Sequence, residues 1–104
     1  MQQFVLQFSP WGSDTHDFDK LISLEEQLID KLAGKAQVDG HDMGSDEANI
    51  FIHTLDAQTT FSDSFPVVQR SGLIPRLGAA YREVTGDKYI RLWPKEGGAA
   101  FSIK

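Results

Sequence analysis

Four leucines that recur every three or four residues constrain the fold of this 104-residue chain more than any other feature. They are Leu21, Leu24, Leu28 and Leu32. This spacing places them on one face of an α-helix, and Phe18 and Ile29 extend the apolar stripe. An acidic residue at Asp17 suits the positive end of the helix dipole. Because Gly34 is a natural stop, the sequence predicts an amphipathic helix over residues 17–34.

Strand patterns stand on both sides of this helix. They cover residues 4–8, 37–39, 48–54, 78–84 and 88–93. Phe4, Leu6 and Phe8 alternate with smaller or polar residues, which is typical of a strand with one buried face. The segment Thr85-Gly86-Asp87 separates the last two patterns and indicates a β-hairpin at the C-terminal end.

A second helix is predicted after Asp56, a good N-cap residue. Its inner face would consist of Phe61, Phe65 and Val68. Proline lacks a backbone N–H, so Pro66 predicts a kink or break near residues 62–65. The pair Ser71-Gly72 predicts the end of this helix.

The order of these elements predicts an α+β fold of the ferredoxin-like, split βαβ type. An antiparallel sheet would carry two helices on one face, with a C-terminal hairpin. The central strand would be residues 48–54 or the first strand. Residues 99–104 would form a tail or an added edge strand. No linker divides the chain, so we expect one domain over residues 1–104.

Three short motifs point to a family resemblance over residues 37–94. They are the Gly-x-Asp-x-Gly turn from Gly40 to Gly44, the Asn-Ile-Phe-Ile strand from Asn49, and the Tyr-x-x-x-Trp-Pro segment ending at Pro94. Together they resemble a family of small, uncharacterised bacterial proteins. The resemblance implies a ferredoxin-like bacterial domain and carries no activity, cofactor or catalytic residue with it.

Composition excludes several classes of protein. The chain has no cysteine, which excludes disulfides and thiolate metal sites and fits a reducing compartment. No apolar run approaches the length of a membrane span, and no signal-peptide pattern is present, so we expect a cytoplasmic protein that does not bind membranes. The net charge of −5 argues against binding to duplex DNA. Residues 1–69 carry twelve acidic and three basic residues, whereas residues 70–104 carry three acidic and seven basic residues.

An acidic segment directly before the strand at residues 48–54 is the first candidate site. It contains Asp39, His41, Asp42, Asp46 and Glu47, and His53 follows on the strand. Carboxylates on a loop can bind a hard cation, and a histidine beside them can transfer protons. Alternatively, Gly40 and Gly44 shape a turn whose carboxylates are solvated or bind backbone amides. We favour the structural interpretation because the spacing matches no calcium-binding loop, and we expect neither a metal nor a cofactor.

The hairpin is the second candidate site. Alternation places Tyr89, Arg91 and Trp93 on one face of its second strand. Aromatic and basic side chains on a sheet face suit single-stranded nucleic acid, but they are also the usual anchors of protein interfaces. The RNP1 pattern of RNA-binding domains is absent, so we rank a protein interface first.

The function that these features favour is a non-enzymatic protein-interaction module. We expect it to self-associate, as a homodimer, through exposed sheet, with a further protein partner as an additional possibility. The alternative is a small dimeric enzyme or a metal- or ligand-binding protein that uses the segment from Asp39 to Glu47 with His41 or His53.

Overall fold

The chain forms a five-stranded antiparallel sheet with two α-helices, an α+β fold as predicted. The computed structural model describes residues 1–44, 46–94 and 101–103. The elements are β1 (Gln2–Phe8), α1 (Asp17–Leu32), β2 (Gln37–Gly44), β3 (Glu47–Thr54), α2 (Ala57–Arg70), a 3₁₀ turn (Ile74–Arg76), β4 (Leu77–Glu83) and β5 (Ile90–Trp93). The strand order is β2-β3-β1-β4-β5, and β1 is central as expected.

Each helix connects two strands that have a third strand between them. Helix α1 leads from β1 to β2 around β3, and α2 leads from β3 to β4 around β1. These four strands therefore follow the split βαβ arrangement. The sheet differs from the four-stranded layout because β5 pairs with β4 and adds a fifth strand.

Both helices cover the same face of the sheet. Phe4, Leu6 and Phe8 of β1 lie in one buried cluster with the leucines of α1 and with Val67 and Val68 of α2. Because side chains alternate along a strand, Val5 points to the opposite face. We call that opposite face, which neither helix covers, the helix-free face.

The apolar stripe of α1 is narrower than predicted. Its four leucines are fully buried, but Phe18 and Ile29 are 52% and 50% exposed. On a helix with 3.6 residues per turn, these two positions lie about a quarter turn from the leucine stripe. The two residues that extend the apolar stripe in the sequence therefore lie at its exposed margin.

Helix α2 is continuous through Pro66, so of the predicted kink or break the break is absent. Pro66 and Ser62, the residue four positions before it, are both exposed, and the proline removes the backbone donor that the Ser62 carbonyl would have in a regular helix. The buried residues of α2 are Ala57, Thr60, Ser64, Val67 and Val68. They pack the helix against the sheet on both sides of the proline.

Asp56 is the N-cap of α2, as predicted. Its carboxylate accepts hydrogen bonds from the Thr59 hydroxyl at 2.8 Å and the Thr59 backbone N–H at 3.2 Å. These two bonds lower the pKa of Asp56.

The acidic segment is mostly strand rather than loop, which corrects the predicted boundaries. Strand β2 extends to Gly44 instead of ending at residue 39, and β3 begins at Glu47. The reason is pairing with β3, which gives each residue from Gly40 to Gly44 a partner. Asp39 is the extra residue of a β-bulge between Val38 and Gly40.

The C-terminal end lies against the helix-free face. Residues 101–103 are not a strand, and the Ser102 carbonyl accepts a hydrogen bond from the Gln7 side chain at 3.0 Å. The other residues of the predicted tail, 99, 100 and 104, lie outside the described residues. Within the described part of the chain, neither helix is long and apolar enough to cross a bilayer.

Candidate functional site

The structure distributes the predicted acidic site over both faces of the sheet. His41 and Met43 pair with Ile50 and Ala48, whose side chains belong to the helix-covered core. Asp42 lies between them and therefore points toward the helix-free face. The exposed carboxylates of β2 and the imidazole of His41 thus do not converge on one point.

His41 is bound to a residue that sequence spacing did not indicate. Its Nδ1 lies 3.2 Å and 3.1 Å from the two carboxylate oxygens of Glu25 on α1. The ring of Phe18 meets the imidazole edge-on, with 6.4 Å between ring centroids. This contact joins the flank of α1 to the edge strand of the sheet.

Glu47 is a buried carboxylate held by amides. Its Oε2 accepts hydrogen bonds from Asn49 Nδ2 at 3.0 Å and from Gln7 Nε2 at 3.3 Å. Gln7 Nε2 also lies 3.1 Å from Asn49 Oδ1. A buried charge is tolerated when hydrogen bonds replace its hydration, so this arrangement suits a structural role.

Asp46 closes the turn between β2 and β3. Its φ of 64° lies in the left-handed region, which aspartate enters more readily than most residues. Its carbonyl accepts hydrogen bonds from the Trp11 backbone N–H at 3.1 Å and the Ser9 hydroxyl at 3.3 Å. Asp46 therefore ties this turn to the loop after β1.

The two remaining candidates on β2 and β3 lie apart from these contacts. Asp39 is exposed at the bulge, and His53 is partly exposed between Gln37 and Gln3 on the helix-free face. Within residues 1–44, 46–94 and 101–103, no group of three His, Asp or Glu side chains is arranged to hold a metal ion.

We therefore expect divalent cations to leave the melting temperature unchanged. A ligand that binds only the folded state would raise it. Melting curves in EDTA and in calcium, magnesium, manganese and zinc should coincide for the wild type. Asp42→Asn serves as the matched variant, because Asp42 is an exposed carboxylate of the regularly paired part of β2. An ion-specific increase that Asp42→Asn abolishes would restore the metal-site interpretation.

A cluster that the sequence did not indicate lies at the start of α1. Asp17 is 1% exposed, and its Oδ2 accepts the Gly12 backbone N–H at 2.9 Å. Its Oδ1 accepts a hydrogen bond from Arg76 Nη1 at 3.2 Å. The Arg76 guanidinium also lies over the Trp11 ring, 5.1 Å from its centroid. Trp11 is 3% exposed and belongs to the core cluster.

The charge state of Asp17 follows from these contacts. Burial raises the pKa of Asp17, but the hydrogen bonds from Gly12 and Arg76 and the positive charge of Arg76 outweigh it. The net result is a lowered pKa. The cluster thus stabilises the carboxylate and joins α1 to the turn before β4.

The hairpin residues do not share one face, which corrects the predicted alternation. Trp93 packs on α2, with ring centroids 6.3 Å from Phe61 and 5.1 Å from Phe65. Tyr89 lies on the helix-free face, where its hydroxyl donates to Gln3 Oε1 at 3.4 Å. The register between β4 and β5 shifts between Ala79, which pairs with Trp93, and Ala80, which pairs with Arg91. This irregularity breaks the alternation on which the prediction relied.

Arg91 and Trp93 both line a groove between β5 and α2 that also includes Gln58 and Ser62.

Three rows of paired residues cross the helix-free face from β2 to β4. The middle row is apolar over these four strands and consists of Gly40, Phe51, Val5 and Ala80, and Arg91 of β5 pairs with Ala80 at its end. One flanking row consists of Gln37, His53, Gln3 and Arg82, and the other of Asp42, Asn49, Gln7 and Gly78. An apolar strip between polar rows is the usual composition of an interface centre and its rim.

Two aromatic residues cover one half of this face. The rings of Tyr89 and Phe101 lie 5.2 Å apart, and a Cβ at Gly78 would lie 3.8 Å from the Phe101 ring. Val5 and Ala80 are fully buried on this side. Phe51 remains partly exposed on the other side, next to Gly40, where a Cβ would meet no atom within 4 Å.

No family model matches the chain, and neither a curated protein nor a solved structure matches it. The resemblance to a bacterial family therefore stays a prediction. The architecture itself is a small α+β domain with a five-stranded antiparallel sheet.

Proposed function

We propose that this domain is a non-enzymatic protein-interaction module that associates with a second copy of itself through the helix-free face. The observation that supports this proposal is the partly exposed Phe51 at the centre of that face. It belongs to an apolar row, and the neighbouring Gly40 leaves open space beside its ring. Aromatic side chains in such positions are common anchors of protein interfaces.

Charge favours one orientation of the two copies. The β2 side of the helix-free face carries the exposed Asp42, whereas the opposite side carries Arg82 and, around the Tyr89 and Phe101 rings, the exposed Lys88 and Asp87, for a net positive charge. A two-fold axis parallel to the strands brings the acidic side of one copy over the basic side of the other. An axis perpendicular to the strands and parallel to the sheet would oppose like charges, which is unfavourable.

The same orientation pairs the two halves of the face. Phe51 of one copy meets the Tyr89 and Phe101 rings of the second copy, and the two-fold axis repeats the contact. Tyr89 thus keeps its proposed role as an interface anchor. Trp93 has a different role, because its ring already packs against α2 within the chain.

This proposal predicts a dimer that Phe51→Asp dissociates. Sedimentation velocity at high micromolar concentration should give twice the 11.6 kDa mass of the wild-type chain. The variant should sediment as a monomer, because a carboxylate would be buried without a partner at the centre of the interface. Raising the salt concentration should weaken the wild-type dimer by screening its charges.

Phe18→Ser is the matched control, since Phe18 is an exposed phenylalanine on the other side of the sheet. It should leave the dimer intact. A wild-type monomer at high micromolar concentration, or a dimer that survives Phe51→Asp, would refute the proposed interface.

The alternative, an enzyme or ligand-binding protein built on the acidic segment, has less support. His41, Asp46 and Glu47 each form hydrogen bonds within the chain. These contacts suit a structural role for the segment. A bacterial origin and a cytoplasmic location stay predictions of the sequence.

A further inference from the structure

A second surface, on the opposite side of the sheet, carries exposed apolar side chains, some of which extend the leucine stripe of α1. Phe18 and Ile29 are 52% and 50% exposed, and they flank the partly buried Ile22 on one side of α1. Met43 of β2 is 39% exposed on the same side of the sheet as His41. We call the surface formed by Phe18, Ile22, Ile29, His41 and Met43 the α1–β2 flank.

Exposed apolar side chains are aligned in the α1–β2 flank and scattered elsewhere in the described part of the chain. The other large apolar side chains that are exposed in the described part of the chain are Met1, Leu55, Val84 and Ile90. These four lie at the N-terminus or next to turns, whereas the apolar residues of α1 recur at helical spacing along one line. Apolar side chains that line up on an exposed surface mark a contact site for another molecule.

The flank lies directly above an open sheet edge. In the described residues, β2 pairs with β3 alone, so its other edge is available to a further strand. The contacts of His41 with Glu25 and Phe18 show that this side of α1 overhangs the edge. A strand added beyond β2 would direct every second side chain toward Phe18, Ile22 and Ile29.

Charge disfavours β2 of a second copy as the added strand. Such pairing would bring together two strands that each carry Asp39 and Asp42, and like charges across a strand pair are destabilising. Residues 18–44, which leave out the buried Asp17, carry six acidic and three basic side chains. The electrostatic complement of this surface is a basic segment.

We propose that the α1–β2 flank binds an extended basic segment of a partner protein, which adds a strand to β2. Its large apolar side chains cover Phe18, Ile22 and Ile29, and its lysines or arginines face Asp42 and the neighbouring carboxylates. The bulge at Asp39 interrupts regular pairing, so the segment pairs with residues 40–44. This surface lies on the helix-covered side of the sheet and shares Asp42 with the helix-free face, and its use does not depend on self-association.

The test uses blocked peptides of alternating lysine and valine as the probe, added to ¹⁵N-labelled full-length protein. The expected result is a set of chemical-shift changes centred on the backbone amides of residues 40–44, with slower hydrogen exchange there. A peptide of alternating glutamate and valine should produce no such changes, because its charge repels the flank.

Two variants locate the binding site. Phe18→Ser should weaken lysine–valine binding by about tenfold, the cost of losing one apolar anchor. Leu55→Ser is the matched control, because Leu55 is 80% exposed and lies outside the flank. The Phe51→Asp variant should bind the peptide as the wild type does, which separates this proposal from the dimer.

Three results would overturn the proposal. They are the absence of shifts at residues 40–44 at millimolar peptide, equal binding of the two peptides, and equal loss of binding in Phe18→Ser and Leu55→Ser.

Discussion

Leu28→Ala should lower the free energy of unfolding by about 2–5 kcal/mol, a large share of the stability of a small domain. Leu28 is fully buried in the core and has no solvent-accessible surface. Truncation removes buried methyl groups and leaves a cavity that the neighbouring leucines fill only in part. Urea denaturation followed by circular dichroism would measure the change.

Ile29→Ala is the matched control for this experiment. Ile29 is the next residue on the same helix, but it is 50% exposed. Its replacement should change the free energy of unfolding by less than about 0.5 kcal/mol, as is usual at surface positions. A similar decrease in the free energy of unfolding for the two variants would mean that α1 is rotated about its axis relative to its orientation in this structure.

Asp17→Asn should lower the melting temperature at neutral pH by several degrees. The substitution leaves Arg76 without its buried counter-charge and removes the carboxylate that accepts the Gly12 backbone N–H. Removing one partner of a buried pair is among the more destabilising changes in a protein. Asp19→Asn, an exposed acidic residue in the same helical turn, is the control and should have little effect.

The effect of Asp17→Asn should also depend on pH. The folded-state pKa of Asp17 is lowered from its usual value of 3.8, so the carboxylate contributes its full stability above that value. This contribution is lost as pH falls through the lowered folded-state pKa. The gap in melting temperature between wild type and variant should therefore close in acid, and a gap that persists there would contradict the ionic explanation.

Local patterns were sufficient to predict the elements of this fold. The leucine spacing of α1, the alternation in β1 and the N-cap at Asp56 depend on residues within a few positions of one another. The order of these elements then predicted the antiparallel sheet and the placement of both helices on one face. Such features follow from the sequence because helix and strand periodicities are local properties of the chain.

Contacts between distant residues determined the rest. Pairing with β3 makes the segment from Gly40 to Gly44 a strand, although its glycines and aspartates favour a turn. The irregular register of β5 separates Tyr89 from Trp93, and no residue near them indicates this shift. The candidate site changed for the same reason, since the predicted cluster is divided between the two faces.

Tertiary packing also determines which charged groups pair with each other, and it determines which side of α1 is buried. Asp17 binds Arg76, and His41 binds Glu25, across separations of 59 and 16 residues. Leu28 and Ile29 are neighbouring apolar residues, and only the position of the sheet beneath α1 buries one and exposes the other. Local patterns in the sequence are thus enough to define the helices and most of the strands. Which apolar and charged side chains remain on the surface depends on the tertiary structure, because burial depends on elements that are far apart in the chain.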